Sequence, residues 1–380
     1  MRFLVCAVLF VFGWSFLNCA GFQRTSAVQE SGSQTVGKLI AAGKLSEARA
    51  AHSATRLPDG SVIIIGGMER NGVFFDDAEI FDPKTNSFKK AKGKMSIKRV
   101  SHTATLLLDG RVLLVGGWGN QDAPESSAEI FDPKTESFTT IGNMSRRRAA
   151  HTETLLENGK VLVTGGFDGK ENLSEVEIFD PKTNAFTSIG KMRNARLGHT
   201  ATKLSDGKVL LTGGEQSRGQ VLSGAEIFDP KTNGFTVTKA MNVVRYKHDA
   251  ILLVDNRVLI FGGSDSRDWR GQHKSAEIFD PRTNEFTPTG EMNFARFKID
   301  GTAVLLKDGK VFIGGGNTGA EVFDPKTNSF TKTAGGFGEP LHFASVTLLN
   351  DGRALIVGGY GNGTQSGPVS TNRAWIFQLR

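Results

Sequence analysis

Short apolar runs alternate with turn signals along the chain, and seven of these runs end in a Gly-Gly pair whose first member is Gly66, Gly116, Gly165, Gly213, Gly262, Gly315 or Gly358. Seven residues before each pair stands Asp59, Asp109, Asn158, Asp206, Asp255, Asp308 or Asp351, followed by Gly in every copy but the fifth, which has Asn256. Asp-Gly and Asn-Gly supply the positive φ angles of a two-residue hairpin, so each copy is predicted to open as strand, tight turn, strand. After a loop of variable length comes a third strand, AEIFDP or a close variant, starting at Ala78, Ala128, Val176, Ala225, Ala276 and Ala320. Its Asp-Pro opens a second turn into a fourth strand carrying Phe88, Phe138, Phe186, Phe235, Phe286 or Phe330. Four short antiparallel strands repeated every 43 to 53 residues predict an all-β fold, a seven-bladed β-propeller of four-stranded antiparallel blades.

The inventory of strands also predicts how the ring closes. A seventh third strand is present at Ala374-Trp375-Ile376-Phe377, but only six Asp-Pro turns occur, so the last blade lacks a fourth strand of its own. Residues 39–45 match the fourth strands of the other copies and precede the first repeat, so they are expected to pair with 374–379. Closure of this kind hides a sheet edge that would otherwise invite aggregation. The predicted propeller spans residues 36–380.

Ahead of it, Arg2 is followed by a nearly continuous apolar stretch, Phe3 to Leu17, which reads as a signal peptide over residues 1–18. The segment ends in Phe16-Leu17-Asn18-Cys19, which resembles the lipobox of bacterial lipoproteins, although Phe16 and Asn18 depart from the preferred leucine and small residue. The resemblance implies cleavage before Cys19, lipidation of Cys19, and residues 19–35 as a flexible tether. The expected location is therefore outside the cytoplasm, lipid-anchored to the bacterial cell envelope or otherwise secreted.

The Gly-Gly pairs, the Glu-Ile-Phe-Asp-Pro-x-Thr-Asn strand and turn, and the later Phe resemble the Kelch repeat, with Phe standing where that repeat usually has Tyr and Trp. The resemblance implies a propeller like the central domain of galactose oxidase. It leaves activity open, because such propellers include scaffolds and enzymes. Composition narrows the chemistry. The two cysteines, Cys6 and Cys19, both lie in the first twenty residues, so the repeat region has neither a disulfide framework nor a cysteine nucleophile. Galactose oxidase uses a Tyr-linked Cys with two Tyr and two His, and neither Tyr246 nor Tyr360 is followed by His. Copper-radical chemistry is therefore not expected, and no cofactor or metal is assigned. A net charge of +7, without a dense basic block, gives no reason to expect nucleic acid.

Two groups of residues are candidates for function. The first recurs at fixed distances before the hairpin turn: Arg49, Arg99, Arg148, Arg196, Arg245, Lys298 and Leu341, then His52, His102, His151, His199, His248, Gly301 and Ala344. Repetition in five or six blades points to packing, so the arginines are expected to pair with Glu79, Glu129, Glu177, Glu226, Glu277 and Glu321, and the histidines to bond to backbone. The second group lies where symmetry breaks. The loop between second and third strands has three residues in blade six, against twelve in blade five and fourteen in blade seven.

That difference predicts a notch over blade six. Its walls would be Asp265, Arg267, Asp268, Trp269, Arg270 and His273 on one side and Tyr360, Asn362, Gln365, Asn372 and Arg373 on the other. Asn317 and Thr318 would form the floor, with Lys298 nearby. Aromatic plates beside polar groups suit a carbohydrate or a polar peptide. Trp118, Phe167 and Phe74 would widen the surface. The expectation is a monomeric, non-catalytic binding protein that recognises a protein or glycan at the envelope. The alternative is a sugar-modifying enzyme resembling the Kelch-type sialic-acid epimerase, with Asp265 or Asp268 beside Arg267 and Arg270.

Overall fold

A computed structural model describes residues 35–70, 72–119, 123–361 and 369–379. The expected signal peptide, Cys19 and nearly all of the expected tether lie outside the described residues, as do Asn362 and Gln365.

Seven four-stranded antiparallel sheets are present. Blade one consists of Ser53–Arg56, Val62–Ile65, Ala78–Asp82 and Ser87–Lys90, from the axis outward. The second strand is wholly buried in every blade, VIII in blade one and VLLV in blade two, because each of its faces meets a neighbouring sheet. Such a strand reads as a continuous apolar run instead of an alternating one. The innermost strands touch their neighbours around the whole ring, including blade seven against blade one. In blade seven the sheet order places Lys38–Lys44 outside Arg373–Gln378, with Leu39 opposite Phe377 and Ala41 opposite Trp375.

In six blades a buried ion pair ties the segment that enters the blade to the blade's own third strand. Arg49, Arg99, Arg148, Arg196, Arg245 and Arg296 are fully buried, and each bonds to the glutamate of its own blade's third strand, Glu79, Glu129, Glu177, Glu226, Glu277 or Glu321. Each guanidinium also donates to the carbonyl of the first glycine of its Gly-Gly pair, as Arg148 does to Gly165 at 2.8 Å. The second glutamate oxygen accepts a backbone N–H from the segment entering the blade, such as Ser145 on Glu177 at 2.9 Å. Burial of two charges is tolerable only with partners for most of the remaining donors and acceptors, and this arrangement supplies them apart from Nε of Arg49 and Arg148.

The sixth member of the arginine series is Arg296, which corrects the placement of Lys298 there. Counting back from the hairpin turn fails in blade six because the stretch between this arginine and the turn is two residues longer than in blades one to five. Counting forward from the buried residue that opens each segment gives a constant spacing of four: Leu45, Met95, Met144, Met192, Met241, Met292 and Phe337 precede Arg49, Arg99, Arg148, Arg196, Arg245, Arg296 and Leu341. By the same count Ile299, not Gly301, replaces histidine in blade six.

Candidate functional site

Two residues after each arginine position the chain turns through the left-handed region. Ala51, Ser101, Ala150, Gly198, Lys247, Lys298 and Phe343 all have φ between 49 and 58°. Their backbones bond from blade to blade around the axis: Ser101 N–H to Ala51 O, Lys247 to Gly198, Lys298 to Lys247, Phe343 to Lys298 and Ala51 to Phe343, at 2.7 to 3.1 Å. A non-glycine residue pays roughly 1 kcal/mol or more for this conformation, which these hydrogen bonds offset. Side-chain size around the ring is lopsided. Blades one to four contribute Ala, Ser, Ala and Gly, while blades five to seven contribute Lys, Lys and Phe.

The small arc leaves a bowl of about 1070 Å³ open at the axis. Phe74, Trp118 and Phe167, from three consecutive blades, line it, and the Trp118 and Phe167 rings stand 5.9 Å apart. Trp118 and Phe167 each follow a Gly-Gly pair by one residue and bridge back to Val100 and Ala149, which fixes them at the rim. On the other side are Glu215 and Lys247. Lys247 Nζ lies 4.8 Å over the Tyr246 ring, and among the described residues neither this ammonium nor the Glu215 carboxylate has a hydrogen-bond or ion-pair partner. Burial pulls the Lys247 ammonium below its ordinary range, opposed by Asp268 and Glu215, and pushes the Glu215 carboxyl upward.

The five histidines also line the bowl, and the expectation that they bond to backbone is corrected. Each Nε2 meets a hydroxyl of the preceding blade: Ser345 for His52, Ser53 for His102, Thr103 for His151, and the Thr152/Thr164 and Thr200/Thr212 pairs for His199 and His248. The adjacent inner strand turns a Ser or Thr side chain toward each ring, and its hydroxyl takes the place of a backbone partner. Burial first, then the adjacent arginine, holds His52, His102 and His151 down to about 3, so they are neutral spacers with Nδ1 unpartnered.

Of the residues expected around the notch, Trp269, Lys298, Tyr360 and Asp268 come together. Lys298 Nζ lies 4.2 Å over the Trp269 ring and donates to Tyr360 Oη at 2.7 Å. Tyr246 Oη donates to Asp268 Oδ1 at 2.5 Å. Lys298 thus occupies the space between the two aromatic plates, and Tyr360 is only 5% exposed. Burial, reinforced by Lys247 and opposed by Asp268, brings the Lys298 ammonium down to about 8.

The other expected residues serve their own loops. Arg267 pairs with Asp265, and His273 Nε2–H donates to the Val244 carbonyl at 3.0 Å. Asn317 Nδ2 donates to Ala295 O and its Oδ1 accepts the Thr318 N–H. Asn372 Nδ2 donates to Leu45 O, and Arg373 lies over Trp375 with Glu339 at 3.9 Å. Arg270 is exposed. Lys247 and Glu215 escaped sequence reasoning, since each looks like ordinary surface charge until the fold brings the inner ends of blades four and five to the axis.

Comparison with known proteins places this geometry. A solved structure described as a novel fungal alcohol oxidase with catalytic diversity among the AA5 family, in complex with copper, has a similar fold. Its TM-score is 0.70 at 18% identity, over 91% of this chain and 76% of that chain. At that identity the likeness concerns the fold. No curated protein matches the chain. The Kelch motif model matches residues 250–293, and the KLHDC2/KLHL20/DRC7 Kelch-repeats domain model matches residues 4–214, more than half of the sequence. The chain belongs to the Kelch-repeat propeller family.

Proposed function

We propose that this propeller is a non-catalytic, envelope-associated binding protein that seats a glycan in its axial bowl. One observation carries the reading: an aromatic wall of Phe74, Trp118 and Phe167 stands in the same cavity as a lysine and a glutamate whose hydrogen-bonding capacity is unspent. A saccharide offers an apolar C–H face for such a wall and hydroxyls that both donate and accept, which an unpaired ammonium and carboxylate can satisfy. The notch originally expected over blade six supports this less well, because Lys298 fills it.

Among the described residues a copper-oxidase reading finds no suitable donor set. No cluster of three or more His, Cys, Asp or Glu that could hold a metal occurs among the described residues. The Tyr246 and Tyr360 hydroxyls are engaged by Asp268 and Lys298.

A glycan array, run beside a protein pull-down, tests the reading. Saccharide binding is expected, weakened at least tenfold, about 1.4 kcal/mol, in folded Trp118→Ala. Retention of proteins without any saccharide, or unchanged affinity in that variant, overturns it.

A further inference from the structure

Lys298 is set apart from the other lysines by what surrounds its amine. Besides the Trp269 ring at 4.2 Å, the centres of the Phe297, Phe343 and Tyr360 rings lie 5.4 to 5.5 Å from Nζ. Its hydrogen-bond partner is a neutral phenol, and among the described residues no carboxylate comes within 4.0 Å. The charged groups acting on it are Lys247, which opposes an ammonium here, and Asp268, which favours one from a distance while its carboxylate accepts the Tyr246 hydroxyl. His342, edge-on to Trp269, donates from Nδ1–H to the Phe297 carbonyl. The rings attract a cation by about 0.5–2 kcal/mol. Loss of hydration costs an ion several kcal/mol and Lys247 opposes the charge, so the balance is shifted toward the free amine, which becomes a substantial fraction near pH 8. Lys298 itself is half-buried and Trp269 is 41% exposed, so the cage lies at the surface.

We propose that Lys298 is a covalent capture site whose free amine condenses with the aldehyde group of a small carbonyl compound. The amine lone pair attacks the carbonyl carbon and the C–N bond forms as the π electrons move to oxygen. The nitrogen gives up its two protons and the oxygen takes up two, exchanged through solvent; the nitrogen lone pair then forms the C=N bond as the C–O bond breaks and water leaves, giving an imine between Nζ and the former carbonyl carbon. A desolvated lysine beside a second cation is suited to this step, because more of it is unprotonated near neutrality. The site does not depend on what the bowl binds.

The test is reductive labelling of the full chain with glycolaldehyde and sodium cyanoborohydride, the borohydride delivering hydride to the imine carbon, followed by peptide mapping. At pH 7.5 Lys298 should label at least tenfold faster than exposed Lys84 and Lys134, with a rate profile whose midpoint lies near pH 8. The preference should vanish in the unfolded chain, and Trp269→Ala should move the midpoint upward by opening the cage to water. Labelling of Lys298 no faster than the exposed lysines, preference for Lys247, or the same preference in the unfolded chain each overturns the proposal. Lys298→Met should lose the fast-labelling component, and if that variant fails to fold the map of the unaltered protein still decides.

Discussion

Arg148→Met tests whether the repeated ion pair holds each entering segment onto its blade. The guanidinium donates to Gly165 O and Glu175 O, both at 2.8 Å, and to Glu177 Oε1 at 2.9 Å. Arg148 has no exposed surface and Glu177 is 1% exposed. Methionine fills similar space but leaves Glu177 buried with only the Ser145 N–H, so about 3–5 kcal/mol should be lost, the usual cost of stranding one charge of a buried pair. For a cooperative unit of this size the unfolding entropy is roughly 0.7 kcal/mol per kelvin, so Tm should fall by about 4–7 °C.

Blade seven shows what removing both charges looks like: Leu341 and Trp375 stand at these two positions and share an apolar cluster with Phe337. Adding Glu177→Leu to Arg148→Met should therefore regain about 1 kcal/mol or more relative to the single variant. Urea unfolding of the parent, both singles and the double gives the cycle. A single-variant loss below about 1 kcal/mol, or a double variant less stable than Arg148→Met, would refute the clamp.

Three further outcomes are expected. Deleting residues 38–45 should lower Tm far more than deleting 20–34, because only the former strips the outer strand from blade seven; equal melting would refute the pairing of Leu39 with Phe377. Glu153 is pushed up to about 8, chiefly by burial, with the Thr105 hydroxyl opposing, so the fold keeps a proton that the unfolded chain releases near 4.5. Stability should thus fall as pH rises from 4.5 to 8, and Glu153→Gln should be more stable than the parent at pH 8 with no gain at pH 4. His151 has the reverse sign: neutral in the fold down to about 3 and protonated when unfolded below 6.5, it erodes stability as pH falls through that window. In denaturant titrations between pH 5.5 and 4, His151→Gln should flatten the decline by about 1.4 kcal/mol per pH unit.

The scaffold was legible because its signals are local and repeated. Gly66 and its six counterparts, the Asp-Gly hairpins and the AEIFDP strands each mark a backbone event that every blade must perform. The Arg–Glu pairing was legible too, since a cation repeated at one register needs a partner at another. The centre of the molecule was harder to read. A count backward from Asp308 passes through the lengthened stretch of blade six and lands on Lys298 instead of Arg296.

That shift hid the axial ring, and with it the change from Ala51, Ser101, Ala150 and Gly198 to Lys247, Lys298 and Phe343 that leaves the bowl open on one side. Loop length suggested an empty notch above blade six. Loop length does not reveal that a neighbouring side chain fills the space, as Lys298 does between Trp269 and Tyr360. Trp118, Phe167 and Phe74 were visible as loop aromatics, but their convergence depends on three different blades.

The central claim is that ligand enters the small-residue side of the axis. The sequence contains four tryptophans, of which Trp118 lies in the bowl, Trp269 caps Lys298 and Trp375 is buried in blade seven. Fluorine NMR of 5-fluorotryptophan-labelled protein, titrated with an array-selected saccharide, separates these positions in one measurement. The account predicts a saturable shift of the Trp118 resonance with Trp269 and Trp375 unmoved. A shift at Trp269 with Trp118 silent would contradict it.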